Sequence, residues 1–501
     1  MSETMPNWLL QRANLTPDRP AIITEKQTIT YLELLHETKK MAAQLAAVGV
    51  KPGDNCGLLI KNRVESVVLI RALESIGAVC VLLNVRLTME EIVWQMNDAH
   101  VSSFFYDKDF GDVADQITTN LPSVHSYSFK QLQQEKQAGP IVLRETFELE
   151  ELHTIMYTSG TTGKPKGVQL TYGNHWWSAI GSSLNLGLHA DDRWLACVPI
   201  FHVSGLSILM RAMFYGITVV LHERFDPNEV NKSIEENNVT MISVVSAMLT
   251  EMLKQQGKQA YPKSLRCVLL GGGPAPMPLL EECKGRNIPI FQTYGMTETA
   301  SQVVTLAPEY MLSKLGSAGK PLYPASVRIE VDGRAARSDE AGEIVVKGPN
   351  VTNGYYRRRD ATREAIQDGW FYTGDIGFLD EDGFLYVLDR RSDLLISGGE
   401  NVYPAEIESV LLEHEAIEEA GICGVESEKW GEVPAAFVVF QEGESASVDE
   451  LIHFCSQKLA SYKVPKIFYK VEQLPRNASK KLLRRTLKKW VNEKIVKRMN
   501  E

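Results

Sequence analysis

Tyr157-Thr158-Ser159-Gly160-Thr161-Thr162-Gly163-Lys164-Pro165-Lys166-Gly167-Val168 is the stretch on which the reading of this 501-residue chain turns. It follows Thr154-Ile155-Met156-Tyr157, an apolar run that reads as the end of a buried strand. The twelve residues supply three glycines, four aliphatic hydroxyls and two lysines. A loop of this make-up can surround an anion with backbone N–H groups while hydroxyls and ammonium groups neutralise it. Pro165 biases Lys164 away from the α region, so the loop stays open rather than winding into a helix. A Walker A loop would need glycine at position 158 and Ser or Thr after the lysine, and those places hold Thr158 and Pro165. The plain alternative is a flexible surface loop. The ordering of Ser, Thr, Gly and Lys favours phosphate binding.

The bulk properties narrow the classes. Net charge is −10, from 53 basic and 63 acidic residues, which argues against a general nucleic-acid binder. Seven cysteines lie scattered without a CxxC pair, as expected of reduced thiols in a cytoplasm rather than a disulfide framework or zinc site. The N-terminal stretch has no basic region followed by an apolar core, and no apolar run reaches membrane-spanning length, so no membrane insertion is expected.

Outward from the loop, helical and strand patterns alternate from Thr28 to Asp107: TYLELLHETKKMAAQLAAVGV, DNCGLLI, VESVVLIRALESIG and AVCVLLN read as helix, strand, helix and strand. Such alternation predicts α/β layers with a largely parallel sheet. Phe110–Glu151 is more polar, lacks a clear period and reads as a crossing between subdomains. After the loop, GNHWWSAIGSSLNLG reads as a helix and WLACVPIF as a strand, with Phe201-His202-Val203-Ser204-Gly205 at its end. The helix predicted from Ser204 to Tyr215 is apolar except for Ser204, Ser207 and Arg211, which share one face at i, i+3 and i+7. An arginine there needs an anionic partner. Spacing alone leaves a protein carboxylate and a ligand equally open. Two more strands run into the loops Gly271-Gly272-Gly273-Pro274 and Thr293-Tyr294-Gly295-Met296-Thr297-Glu298, at strand carboxyl ends, where open α/β sheets bind ligands. Beyond Leu315 the pattern becomes short strands and turns, a β-rich subdomain. A last segment of about 110 residues, enough for a small α+β domain, contains Gly398-Gly399 after a strand, and Pro404 opens its first helix. The tail Arg476–Arg498 carries ten basic residues against one acidic, Glu493, and reads mostly as a solvated helical face.

YTSGTTGKPKGV resembles the signature loop of the adenylate-forming enzymes, the superfamily of acyl- and aryl-CoA synthetases, luciferases and adenylation domains. The resemblance spans essentially the whole chain, several motifs in order. It implies a large N-terminal α/β domain (1–389) that binds ATP and the acid, a hinge (390–392) and a small mobile α+β domain (393–501) carrying a catalytic lysine. The loop residues Thr158, Ser159, Gly160, Thr161, Thr162, Gly163 and Lys164 correspond to the family's triphosphate cradle. The resemblance also implies that Gly271 and Gly272 fall in the ATP site. Tyr294 matches the ring laid on adenine, Gly295 its neighbour, Thr297 the phosphate-contacting threonine and Glu298 the Mg2+-binding carboxylate. Asp375 of YTGD matches the ribose-binding aspartate, with Arg390 assisting. Ser392 matches the hinge, and Gly398 and Gly399 the thiol-tunnel segment for coenzyme A. Lys481 matches the catalytic lysine, although Lys480 stands where the family usually has glycine.

The resemblance therefore implies two half-reactions: a carboxylate and ATP give an acyl-adenylate, then CoA gives a thioester and AMP. Phe201-His202 stands where amino-acid-activating members carry an aspartate, which disfavours an amino-acid substrate. FHVSG followed by Arg211, with YGMTETASQVVTL and KLGSAGKPL, looks most like the branch that ligates CoA to o-succinylbenzoate in menaquinone biosynthesis. That acid has a second carboxylate, and the resemblance makes Arg211, with Ser204 and His202, its expected pocket. Another aryl- or acyl-CoA ligase, a stand-alone enzyme loading a carrier protein, and a non-catalytic nucleotide-binding regulator are the competing readings. The partners expected are a small carboxylic acid, ATP, Mg2+ and CoA, with a homo-oligomer left open.

Overall fold

The computed structural model describes residues 3–135, 139, 142–158, 164–272, 275, 277–389, 395–402, 404–475, 482 and 484–499. Helix–strand alternation builds the first sheet as the sequence predicts. Thr30 and Glu33 close a capping box at the start of the helix Tyr31–Ala47. The helix Val64–Ile76 is buried from Ser66 onward and ends on a left-handed Gly77. Strands Asn55–Leu59, Val79–Leu82, Ser103–Tyr106 and Leu152–Thr158 pair in parallel. Their side chains are buried along most of their length, as strands covered on both faces must be.

The stretch Phe110–Glu151 differs from its expected irregular crossing. It contains helices Gly111–Asn120 and Phe129–Gln134 and a strand, His125–Ser128, that extends the parallel sheet beside Ser103–Tyr106. The strand sits at the end of the sheet, so half its backbone faces solvent and its residues are polar. Only Ala114 and Ile117 are buried on the first of the two helices, too few to show a period.

The second sheet carries the candidate site. Strands Pro20–Ile23, Thr218–Leu221, Arg193–Ala196, Met241–Val245, Cys267–Gly271 and Ile290–Met296 run parallel in that order. From Ile290–Met296 the sheet continues antiparallel through Ser301–Leu306 and Ser317–Pro321 to Leu385–Asp389. The β-rich region predicted beyond Leu315 is thus an extension of the same sheet, through Trp370–Leu379, Gly342–Lys347 and Ser326–Val331.

The chain packs as two compact units, one of residues 1–85, 96–156 and 167–388, the other of residues 86–95, 157–166 and 389–501. In the second, Gly431–Phe440 is the central strand of a small sheet, pairing antiparallel with Ile417–Ser427 and Leu395–Ser397 and parallel with Ile467–Lys470. Helices Pro404–Leu411, Val448–Lys458 and Arg484–Asn492 belong to it, with Ile407, Leu411, Leu451, Cys455 and Leu487 in its cores.

A buried ionic triad lies within this unit. Lys463 Nζ donates to Glu91 Oε1 at 2.6 Å and to Glu406 Oε1 at 2.8 Å. One cation serves two carboxylates, and burial pushes Glu406 up to about 7. Burial acts against the charged form of Lys463 too, but Glu406 and Glu91 outweigh it and raise its pKa. Because the folded value of Glu406 exceeds its ordinary 4.5, its contribution is full at acidic pH and is lost as pH rises through about 7. Hydrogen exchange of the strand Gly431–Phe440 is therefore expected to quicken, relative to intrinsic rates, between pH 6 and 8, and Glu406→Gln to flatten that trend. Lys463→Met leaves two carboxylates unpaired and should destabilise this unit by about 3–5 kcal/mol. An unchanged pH trend in Glu406→Gln would remove Glu406 as its source.

Candidate active site

The helix Val203–Tyr215 carries Ser204, Ser207 and Arg211, one residue longer at its start than predicted. Its C-terminal carbonyls are taken by side chains from the helices Trp8–Leu15 and Tyr31–Ala47. Arg12 donates to the carbonyls of Met213 (2.9 Å) and Phe214 (2.6 Å), and the Tyr31 hydroxyl lies 2.9 Å from that of Ala212. Cations at this end satisfy orphan carbonyls and oppose the negative end of the helix dipole. Arg71, itself paired with Glu74 at 2.6 Å, donates to the carbonyl of Leu209 at 3.0 Å.

Arg211 differs from those arginines. It is 1% exposed, and neither Nε nor Nη2 has a hydrogen-bond partner; among the described residues no carboxylate pairs with it. Its guanidinium lies over the Trp194 ring, 5.5 Å from the centroid, while the Trp194 indole N–H donates to Ser243 Oγ. Burial pulls its pKa below the usual arginine range, with Tyr215 and Cys267 opposing. The ion-pair alternative left open by spacing is thus not what the fold provides. Ser207 is buried on the same face, Ser204 exposed near the helix start, and His202 caps it, half-buried with its ring against Phe201. Ser207 Oγ lies 3.3 Å from Ser301 Oγ. Ser301 follows the Thr297–Glu298 pair closely but was not legible as a site residue, since its partner is 94 residues away.

The segment read as the loop Thr293–Glu298 is strand as far as Met296, and Thr297–Thr299 forms a single 3-10 turn. The strand persists because Ser301–Leu306 pairs back on it, with a register shift between Tyr294 and Gly295. At Gly295 a Cβ would lie 2.0 Å from the Ser301 carbonyl oxygen, so the two backbones could not approach with any other residue. The Tyr294 hydroxyl donates to Asp375 Oδ2 at 2.7 Å, both side chains being buried. Two motifs 81 residues apart are thereby brought together. Glu298 is 9% exposed, and the Tyr355 hydroxyl donates to its Oε1 at 3.1 Å. Gly271 ends its strand, and Gly272 follows with a left-handed φ of 84°.

Among the described residues no cluster of three or more His, Cys, Asp or Glu could hold a metal by itself. A single hard carboxylate such as Glu298 fits magnesium, which binds through one or two carboxylates and completes its shell with water and substrate phosphate.

The other candidates belong to the second unit or lie outside the described residues. Thr158 ends the strand Leu152–Thr158, and Lys164 Nζ lies 5.9 Å from the centroid of Trp94, whose ring meets Tyr157 edge-on. Gly398 and Gly399 form a two-residue hairpin turn between Leu395–Ser397 and Glu400–Val402, with φ of 59° and 83°, the left-handed pair such a turn requires. Ser159, Gly160, Thr161, Thr162, Gly163, Arg390, Ser392, Lys480 and Lys481 lie outside the described residues.

The chain is similar along its length to known proteins. A 2-succinylbenzoate–CoA ligase from Bacillus cereus (strain Q1) is 56% identical over 491 residues, covering 98% of this chain and 100% of that one. A double mutant of o-succinylbenzoate CoA synthetase (MenE) from Bacillus subtilis, solved with its product analogue OSB-NCoA, superposes with a TM-score of 0.93 at 50% identity, covering 97% of this chain and 98% of that one. The same Bacillus subtilis enzyme in complex with ATP and magnesium ion gives a TM-score of 0.76 at 49% identity, over 97% of this chain and 100% of that one. The model of the AMP-binding enzymes matches residues 9–356, and that of their C-terminal domain residues 406–481. From the glycine loop to the small C-terminal sheet, this chain belongs to the AMP-binding enzyme family.

Proposed function

We propose that the protein is an ATP-dependent ligase that activates 2-succinylbenzoate as its acyl-adenylate and transfers the acyl group to CoA, a step of menaquinone biosynthesis. The observation that carries the choice of acid is Arg211, a cation 1% exposed with no carboxylate of the described chain paired to it. A substrate with a second carboxylate supplies the missing charge, and Ser204, Ser207, Ser301 and His202 lie on or beside the same helix. The seven cysteines are free and buried, and among the described residues no helix is long and apolar enough to cross a membrane. We place the enzyme in the cytoplasm, a compartment in which scattered thiols such as these stay reduced.

In the first half-reaction two anions must meet, the acid's carboxylate and the α-phosphate of ATP. Backbone N–H groups of the loop 158–164 would hold the triphosphate, with Lys164 adding charge. Tyr294 would pack on the adenine and Asp375 hold the ribose, their mutual hydrogen bond fixing both. Glu298 would hold magnesium, which when bound neutralises phosphate charge. Lys481 would stabilise the charge that develops as carboxylate oxygen attacks phosphorus and pyrophosphate leaves. In the second half-reaction the CoA thiolate attacks the acyl carbon and AMP leaves, with Gly398-Gly399 proposed beside the thiol path.

Acid-dependent ATP–pyrophosphate exchange across a panel of aromatic mono- and dicarboxylates, followed by thioester detection with free CoA, tests the proposal. Exchange with 2-succinylbenzoate and a CoA thioester are expected. Preference for a monocarboxylate would replace the acid, and exchange without a thioester would replace the acceptor. Glu298→Gln keeps the shape but removes a charge from the metal site. It should depress exchange and raise the Mg2+ concentration for half-maximal rate. Unchanged Mg2+ dependence would place the ion on another group.

A further inference from the structure

The turn that joins Glu298 to Ser301 is held in a conformation its own residues disfavour. Ala300 and Ser301 have φ of 52° and 106°, consecutive residues with a Cβ in the left-handed half of backbone space. Such a pair persists only where the surroundings over-determine it. Here three successive carbonyls are each taken by a donor from distant chain. The Thr352 N–H donates to the Glu298 carbonyl at 2.7 Å. Asn350 Nδ2 donates to that of Thr299 at 3.0 Å, and the Ser178 hydroxyl to that of Ala300 at 2.7 Å. Asn350 and Ser178 are 3% and 5% exposed, so water does not compete for these carbonyls. At one end of the turn stands the Glu298 carboxylate with its Tyr355 partner, and at the other Ser301, whose hydroxyl meets Ser207 on the helix of Arg211.

We propose that Asn350 and Ser178 are positioning residues that hold this strained turn, so that one rigid piece fixes both the metal-binding carboxylate and the wall of the acid pocket. The inference rests on the function proposed above for Glu298 and the Arg211 helix. Without either donor the turn can relax toward ordinary φ, which turns Glu298 away from the phosphate and Ser301 away from Ser207 together. The two sites are then coupled through backbone, not through a shared ligand.

The test uses the full-length protein and α,β-methylene-ATP, whose binding is measured by calorimetry with Mg2+ and with EDTA. Asn350→Ala should reduce the Mg2+-dependent gain in affinity by about 10-fold and leave the EDTA value in place, and should raise KM for the acid in exchange assays. Ser178→Ala, a one-atom change less able to disturb folding, carries the same expectation. Ala300→Gly added to Asn350→Ala should recover part of the loss, because glycine accepts φ near 52° without help. Equal losses with and without Mg2+, or no recovery from Ala300→Gly, would overturn the proposal. The nucleotide arm does not involve the acid, so a wrong acid would show as absent exchange with the Mg2+ effect intact.

Discussion

Arg211→Ala is expected to lower kcat/KM for 2-succinylbenzoate by about 10²- to 10³-fold, while a monocarboxylic analogue loses far less. The fold places the guanidinium over Trp194 with Nε and Nη2 unpaired, at 1% exposure. A carboxylate arriving there meets a planar fork of donors already stripped of water, the setting in which a charge-assisted pair is strongest. Truncation removes that fork and leaves the incoming carboxylate desolvated without a partner. Arg211→Lys should recover little of the loss, since an ammonium neither stacks on Trp194 in the same way nor offers two parallel donors. Steady-state exchange kinetics on the two acids decide the matter. Equal losses on both would mean that Arg211 supports the helix Val203–Tyr215 and does not read the substrate.

Ser204, Ser207 and Arg211 were legible as one face because helical periodicity is local, and the helix forms one residue from its expected start. The alternation of the first hundred residues was legible for the same reason, each element having enough buried apolar positions to show its period. What was hidden depends on partners far along the chain. Nothing near Arg211 says that no carboxylate of the described residues reaches it, and nothing near Tyr294 says that its hydroxyl meets Asp375, 81 residues on. The strand Ile290–Met296 looked shorter because TYGM has turn composition. Pairing with Ser301–Leu306 overrides that local preference, with Gly295 serving close approach. His125–Ser128 was missed because a polar strand at a sheet's edge lacks the apolar pattern by which strands are recognised.

Lys481→Ala should lower acyl-adenylate formation by at least about 10²-fold, the scale of losing one electrostatic stabiliser in a closed site. The assignment comes from the motif Pro475-Arg476-Asn477-Ala478-Ser479-Lys480-Lys481, since Lys481 lies outside the described residues. Its charge is wanted only while carboxylate oxygen approaches the α-phosphate. In thioester formation the attacked atom is the acyl carbon, the leaving group is AMP, and a lysine placed for the first transition state has no anion pair to screen. Supplied with preformed acyl-adenylate and CoA, Lys481→Ala should therefore make thioester at near the parent rate. Ser392→Pro should act in the opposite sense, sparing adenylation and slowing thioester formation, because proline fixes one torsion of the proposed hinge. Lys480, which stands where the family usually has glycine, supplies the internal control. Lys480→Ala should affect adenylation much less, and a larger effect than that of Lys481→Ala would move the catalytic role one residue earlier. Equal impairment of both half-reactions by Lys481→Ala would mean that a single arrangement of the C-terminal unit serves both, and that Ser392 is not a hinge between them.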